Sequence, residues 1–129
     1  MQGICVLVID DDPSMLATLQ DVFEDAGYQV LTAGDGAEGL RLCQSRRVDL
    51  VVTDLIMPEQ EGLETIRALR RSFVELPIIA ISGASALEES DMLRVATLLG
   101  AQRTFRKPFD MRDLLAAARA LVAAGGAAR

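Results

Sequence analysis

The chain has 129 residues, half of them apolar, and a formal net charge of −6. That length suits one domain with a core of its own, and the acidic balance argues against wrapping DNA or RNA. No run of about 18 uncharged apolar residues is present to span a membrane, and no basic-then-apolar leader pattern occurs, so the expected setting is cytoplasmic, with Cys5 and Cys43 as reduced, buried thiols.

In chain order, Ile4 to Ile9 is a continuous apolar run that stops at Asp10-Asp11-Asp12. Pro13 suits the first turn of a helix, and Leu16, Leu19, Val22 and Phe23 recur at helical spacing up to Gly27, a C-terminal cap. Tyr28 to Thr32 reads as a short strand. Asp35 caps a second helix that runs to about Ser45, with Ala37, Leu40 and Leu42 near its buried side. Leu50 to Thr53 is a strand ending in Asp54, and Gly62 to Ser72 is a third helix using Leu63, Ile66 and Leu69. Pro77 introduces the strand Ile78 to Ile81, ending in Ser82-Gly83. After a polar loop, Ser90 or Asp91 opens a fourth helix closed by Gly100. Thr104 to Arg106 is a fifth strand, ending in Lys107-Pro108, and Asp110 caps the last helix. Residues 1–124 therefore form one domain, and Gly125 to Arg129 a flexible tail.

Five strands alternating with five helices make a (βα)5 α/β fold, an open, doubly wound, five-stranded parallel sheet with helices on both faces. Ligands of such sheets bind beyond the carboxyl ends of the strands. Strand one delivers Asp10, Asp11 and Asp12 there, strand three Asp54, strand four Ser82 and strand five Lys107. Lys107 stands out because the other 12 of the 13 basic residues are arginine; histidine is absent, which removes His-based catalysis and His metal ligands.

Carboxylates this close repel: each like pair at ~4 Å costs on the order of 4 kcal/mol at an effective dielectric of ~20. Either one carboxyl stays protonated or a divalent cation binds. Oxygen ligands without His or Cys favour Mg²⁺, Mn²⁺ or Ca²⁺ over zinc, and few protein ligands plus waters is the habit of Mg²⁺ with a phosphate. A hydroxyl and a lone ammonium opposite such a cation describe a phosphoryl cradle. Asp54 is then an acidic nucleophile, a metal ligand, or both.

These residues resemble the receiver domain of bacterial two-component response regulators over essentially the whole chain. The matching pieces are Val6-Leu7-Val8-Ile9-Asp10-Asp11-Asp12, Val52-Thr53-Asp54-Leu55-Ile56-Met57-Pro58-Glu59-Gln60-Glu61-Gly62, Ile81-Ser82-Gly83 and Lys107-Pro108-Phe109. The resemblance implies a flavodoxin-like sheet of order 2-1-3-4-5. It implies Asp54 as phosphoacceptor, with Mg²⁺ held by Asp11 directly, Asp10 mainly through water, Asp54 and the backbone carbonyl of Ile56. Ser82 would hydrogen-bond the phosphoryl group, Lys107 would pair with it, and a cis bond would precede Pro108. Asp12 is left to helix capping. The implied donor is a sensor histidine kinase or histidine phosphotransfer protein, and the chain would catalyse only its own phosphorylation and dephosphorylation. A downstream protein target, homodimerisation on phosphorylation, and no contact with nucleic acid or membrane complete the expectation.

The chain departs from the family pattern in three places. Thr104 stands where the family commonly has Tyr or Phe, which puts the usual aromatic switch in doubt, and Phe105 should face the core instead. The stretch from Ser82 to Gly100 is about three residues longer than usual, which suggests a longer, mobile loop over Gly83 to Ser90. Ile56 and Ala84 offer no polar side chain to an attacking water, so slow self-dephosphorylation is expected. The output surface would be the fourth helix, fifth strand and fifth helix, where Arg94, Arg103, Arg106 and Arg112 suit an acidic partner. Three other readings remain. Asp10-x-Asp12-x-Ser14 is similar to the motif of haloacid-dehalogenase-like phosphatases, with Asp10 as nucleophile; a flavodoxin-like cofactor binder shares the topology; and a pseudo-receiver would serve protein contact alone.

Overall fold

Apolar runs of five residues between turn signals become strands because both of their faces are covered, and alternation then sorts their side chains into two cores. The structure, a computed structural model, describes residues 3–55, 61–83 and 86–128, leaving aside the side chains of 61, 86–92 and 126–128. Its elements are β1 (Cys5–Ile9), α1 (Pro13–Asp25), β2 (Gln29–Ala33), α2 (Gly36–Ser45), β3 (Leu50–Asp54), α3 (Glu61–Ser72), β4 (Ile78–Ser82), α4 (Ala86–Leu99), β5 (Arg103–Arg106) and α5 (Met111–Ala128). All neighbouring strands are parallel, in the order β2-β1-β3-β4-β5, so the expected doubly wound, flavodoxin-like sheet is the fold.

The central strands β1, β3 and β4 are buried throughout. Leu7, Ile9, Val51, Ile78 and Ala80 face one layer, with Ile66 and Leu69 of α3 and Ala96 of α4. Val6, Val8, Leu50, Val52, Ile79 and Ile81 face the other, with Leu19 and Phe23 of α1 and Leu114 and Ala118 of α5. At about 1.5–3 kcal/mol for each fully buried large apolar side chain, these two cores are the main source of stability.

Local signals set most helix ends. The Asp12 carboxylate accepts the Ser14 N–H at 3.0 Å, with Pro13 opening α1, and the Asp35 carboxylate accepts the Glu38 N–H at 2.8 Å. Gly27 and Gly100 close α1 and α4 with φ of 99° and 121°. Two boundaries differ from the sequence reading by more than one residue. The α4 backbone is helical from Ala86, not from Ser90 or Asp91, so helix occupies residues 86–90, which the sequence reading gave to a loop. Ala86, Leu87, Glu88 and Glu89 are all good helix formers, although the polar run Glu88 to Asp91 reads as a loop. Likewise α5 is helical through Ala128, into the segment read as a tail, because its alanines outweigh Gly125 and Gly126.

At the amino edge of the sheet, buried Asp49 accepts the Cys5 N–H at 2.9 Å, and its own N–H donates to the Cys5 carbonyl at 2.8 Å. Arg70, from the last turn of α3, donates to the carbonyls of Phe73 (2.9 Å), Val74 (2.6 Å) and Gly100 (2.8 Å). It thus satisfies carbonyls of the residues that immediately follow α3 and α4. Both cysteines are free and buried.

Candidate functional site

The parallel register assembles the site. Ile9 is paired with Thr53, so the next residues, Asp10 and Asp54, leave the sheet side by side. Ser82 is paired with Arg106, which puts Lys107 one step beyond. The ladder continues past the strand ends: Asp10 N–H donates to Ala33 O at 3.1 Å, Leu55 N–H to Ile81 O at 2.8 Å and Lys107 N–H to Ser82 O at 2.8 Å. The hydrogen-bond ladder of the sheet therefore extends under the site.

On this base Asp10, Asp54 and Ser82 are only 2 %, 6 % and 0 % exposed, whereas Asp11 faces solvent. One carboxylate oxygen from each of Asp10, Asp11 and Asp54 falls in a group no more than 4.8 Å across. Lys107 Nζ lies 3.6 Å from Asp54 Oδ2. Burial pushes the Asp10 carboxyl up to about 6; the Asp12 N–H, donated to it at 2.9 Å, opposes that rise, the charge of Asp54 adds to it, Lys107 lowers it, and Asp11 raises it again. Three hard oxygen donors crowded at a cost in charge repulsion, with no sulfur or imidazole, fit a divalent cation of the Mg²⁺ kind.

Two glycines keep the site in shape. A Cβ on Gly62 would lie 2.5 Å from the Leu55 Cα and 2.7 Å from the Asp54 carbonyl oxygen, so α3 can approach the end of β3 only with glycine there. A Cβ on Gly83 would sit 3.0 Å from Lys107 Cδ, crowding the stem that carries the ammonium. The Gly62 contact accounts for a motif glycine read from the sequence. Sequence alone does not single out the Gly83 contact, nor Met15, which lines a cavity of about 440 Å³ with Lys107, Pro108, Phe109 and Met111. Gly83 adjoins the recognised Ser82, which was the available signal, whereas nothing local singles out Met15.

The residues expected at the carboxyl edge, Asp10, Asp11, Asp54, Ser82 and Lys107, come together there, and Asp12 is the helix cap. The Lys107–Pro108 bond is cis. Ile56, whose carbonyl was expected as a ligand, and Ala84 lie outside the described residues, as do the side chains of Ser90 and Asp91. Thr104 is half-buried and Phe105 buried, on opposite sides of β5. Phe105 is 5.6 Å from Phe109 between ring centroids, and the Arg103 guanidinium lies 5.3 Å from its ring. Arg112, one of the arginines read as a surface for an acidic partner, is already paired with Asp110 at 2.8 Å.

A doubly wound α/β domain with an acid cluster, a hydroxyl and an ammonium at its carboxyl edge defines the class. The chain belongs to the response regulator receiver domain family, whose model matches residues 6–119. It is 34% identical over 117 residues to the alkaline phosphatase synthesis transcriptional regulatory protein PhoP of Bacillus subtilis, covering 91% of this chain and 48% of that one. It is 38% identical over 118 residues to the transcriptional regulatory protein PrrA of Mycobacterium tuberculosis, covering 91% and 49%. The chain thus spans about half the length of the curated relatives it matches. Among solved structures, a CheY-like receiver domain protein from Methanospirillum hungatei superposes with a TM-score of 0.87 at 25% identity, covering 98% of both chains. The Vibrio cholerae chemotaxis protein CheY4 superposes at 0.80 with 30% identity, covering 92% of this chain and 98% of that one. This membership displaces the phosphatase and flavodoxin-like cofactor readings. No described helix is long and apolar enough to cross a membrane.

Proposed function

We propose that this receiver domain is a working phosphoacceptor, with Asp54 taking a phosphoryl group from a sensor histidine kinase or histidine phosphotransfer protein. The observation that carries this reading is the buried Asp54 carboxylate grouped with Asp10 and Asp11 and 3.6 Å from the Lys107 ammonium. An Asp54 oxygen attacks the phosphorus of the donor phosphohistidine; the new P–O bond forms as the P–N bond breaks, and the imidazole leaves. Lys107 faces the developing negative charge, and the Ser82 hydroxyl supplies a hydrogen bond from the end of β4. Asp10 and Asp11, with Asp54 and the Ile56 carbonyl, would hold Mg²⁺. Bound there, the ion offsets the charge of the acid cluster and of the phosphoryl oxygens.

The chain's catalysis is confined to its own phosphorylation and to loss of that phosphoryl group. The signal is a change of charge at Asp54 that biases a protein-contact surface. That surface is assigned to α4, β5 and α5, for a downstream protein or a second phosphorylated copy, without nucleic acid or membrane contact, in the cytoplasm.

Incubation with a panel of phosphorylated histidine kinases and Mg²⁺, read by intact mass and peptide mapping, tests the reading. One phosphoryl group on Asp54, absent from Asp54→Asn and from samples with chelator, is expected. A wild type that stays unmodified with every donor, including small phosphoramidates, would leave a pseudo-receiver. A label mapped to Asp10 would overturn the assignment.

A further inference from the structure

The amino edge of the sheet carries a cleft unconnected with Asp54. It has a volume of about 450 Å³ and lies between the end of α2 and the connection from α3 to β4, lined by Cys43, Arg46, Arg47, Val48, Phe73 and Leu76. That volume is in the range of small-molecule pockets. Its floor is apolar: Cys43, Val48 and Leu76 are buried and Phe73 half-buried. Burial pushes the Cys43 thiol up to about 11, so the floor carries no charge at neutral pH.

The mouth has the opposite character. Arg46 and Arg47 are both exposed. Arg47 reaches Asp49 at 3.4 Å, leaving most of its guanidinium in solvent, since its side chain is 74 % exposed. Arg41, Arg67 and Arg71 are also exposed on α2 and α3, two helices in contact with each other. The exposed acid in the α3–β4 connection, Glu75, is not among the lining side chains. On a chain of net charge −6, this corner is locally basic. Apolar side chains and two exposed arginines lining one cleft suit an anion with an apolar body.

We infer that this cleft binds a small amphipathic anion, an aromatic or short acyl body lying on Val48, Phe73 and Leu76, with a carboxylate or phosphate head at Arg46 and Arg47. The cleft adjoins the starts of β3 and β4, the strands whose far ends carry Asp54 and Ser82, so a ligand there does not compete for Asp54.

The test is titration of ¹⁵N-labelled protein with octanoate, octyl phosphate and octanol, read by ¹H–¹⁵N spectra. Saturable shifts are expected at Cys43, Arg46, Arg47, Val48, Phe73 and Leu76, with either or both anions binding about tenfold tighter than octanol. The two anions distinguish a carboxylate from a phosphate head. Arg46→Glu, at an exposed position with its fold checked in the same spectra, should weaken anion binding by at least that factor and leave octanol unchanged. Absence of saturable shifts at these amides, equal binding of octanol, or indifference to Arg46→Glu would overturn the proposal. None of these outcomes depends on whether Asp54 accepts a phosphoryl group.

Discussion

Asp10 sits at 2 % exposure among like charges and holds its proton up to about pH 6, against an ordinary value of 3.8. A carboxyl raised in the folded state binds more protons there than in the unfolded chain, so its contribution falls as pH rises from about 4 through 6. At neutral pH, without a cation, the charged group costs on the order of 2–3 kcal/mol. Asp10→Asn keeps the oxygen that accepts the Asp12 N–H and removes the charge. Denaturant titrations without divalent cation should show the variant equal to wild type near pH 4 and more stable by about 2 kcal/mol at pH 7. A constant difference across that range would refute the assignment. Gly62→Ala belongs to the same scale. Its methyl would meet the Asp54 and Leu55 backbone, so about 1–3 kcal/mol of stability should be lost, and phosphorylation of Asp54 should slow because α3 can no longer seat.

Helix ends decide the behaviour of the elements. Arg70 ties the end of α3 to the end of α4 through Gly100, and its Nη2 also lies 3.3 Å from Gln102 Oε1, the atom that accepts the Ile78 N–H at 2.7 Å. Arg70→Ala removes the partners of several carbonyls at once and should lower stability by about 1–3 kcal/mol, with faster amide exchange at the starts of β4 and β5. Unchanged exchange there would show the clamp to be redundant. Caps such as Asp12 and Asp35 are within reach of sequence reading, because donor and acceptor lie within three residues. The Arg70–Gly100 bond is not, because it joins residues 30 apart. The start of α4 is hidden in the sequence for another reason: Glu88 and Glu89 break the apolar periodicity while favouring helix.

The whole molecule separates two chemistries, an acid cluster at the carboxyl edge of the sheet and an arginine-rich corner at the amino edge. On the proposed reading the acid cluster holds Mg²⁺ only when folded, so the ion should raise the melting temperature, more at pH 7 than at pH 5, where Asp10 retains its proton. A calorimetric series in both buffers measures this, and equal shifts at the two pH values would place the ion elsewhere. Alternating apolar runs and amphipathic segments, with acids after the first and third runs, were enough by themselves to determine a parallel sheet with its chemistry at one edge, because strand periodicity and helix caps are local properties. Tertiary structure alone decided what depends on register and approach. It set Asp10 beside Asp54, brought the lone lysine within 3.6 Å of it, required glycine at 62 against the end of β3, and gathered Arg46 and Arg47 into the lining of an apolar cleft. Those distances follow from how separate segments dock, and no short window of sequence contains both partners.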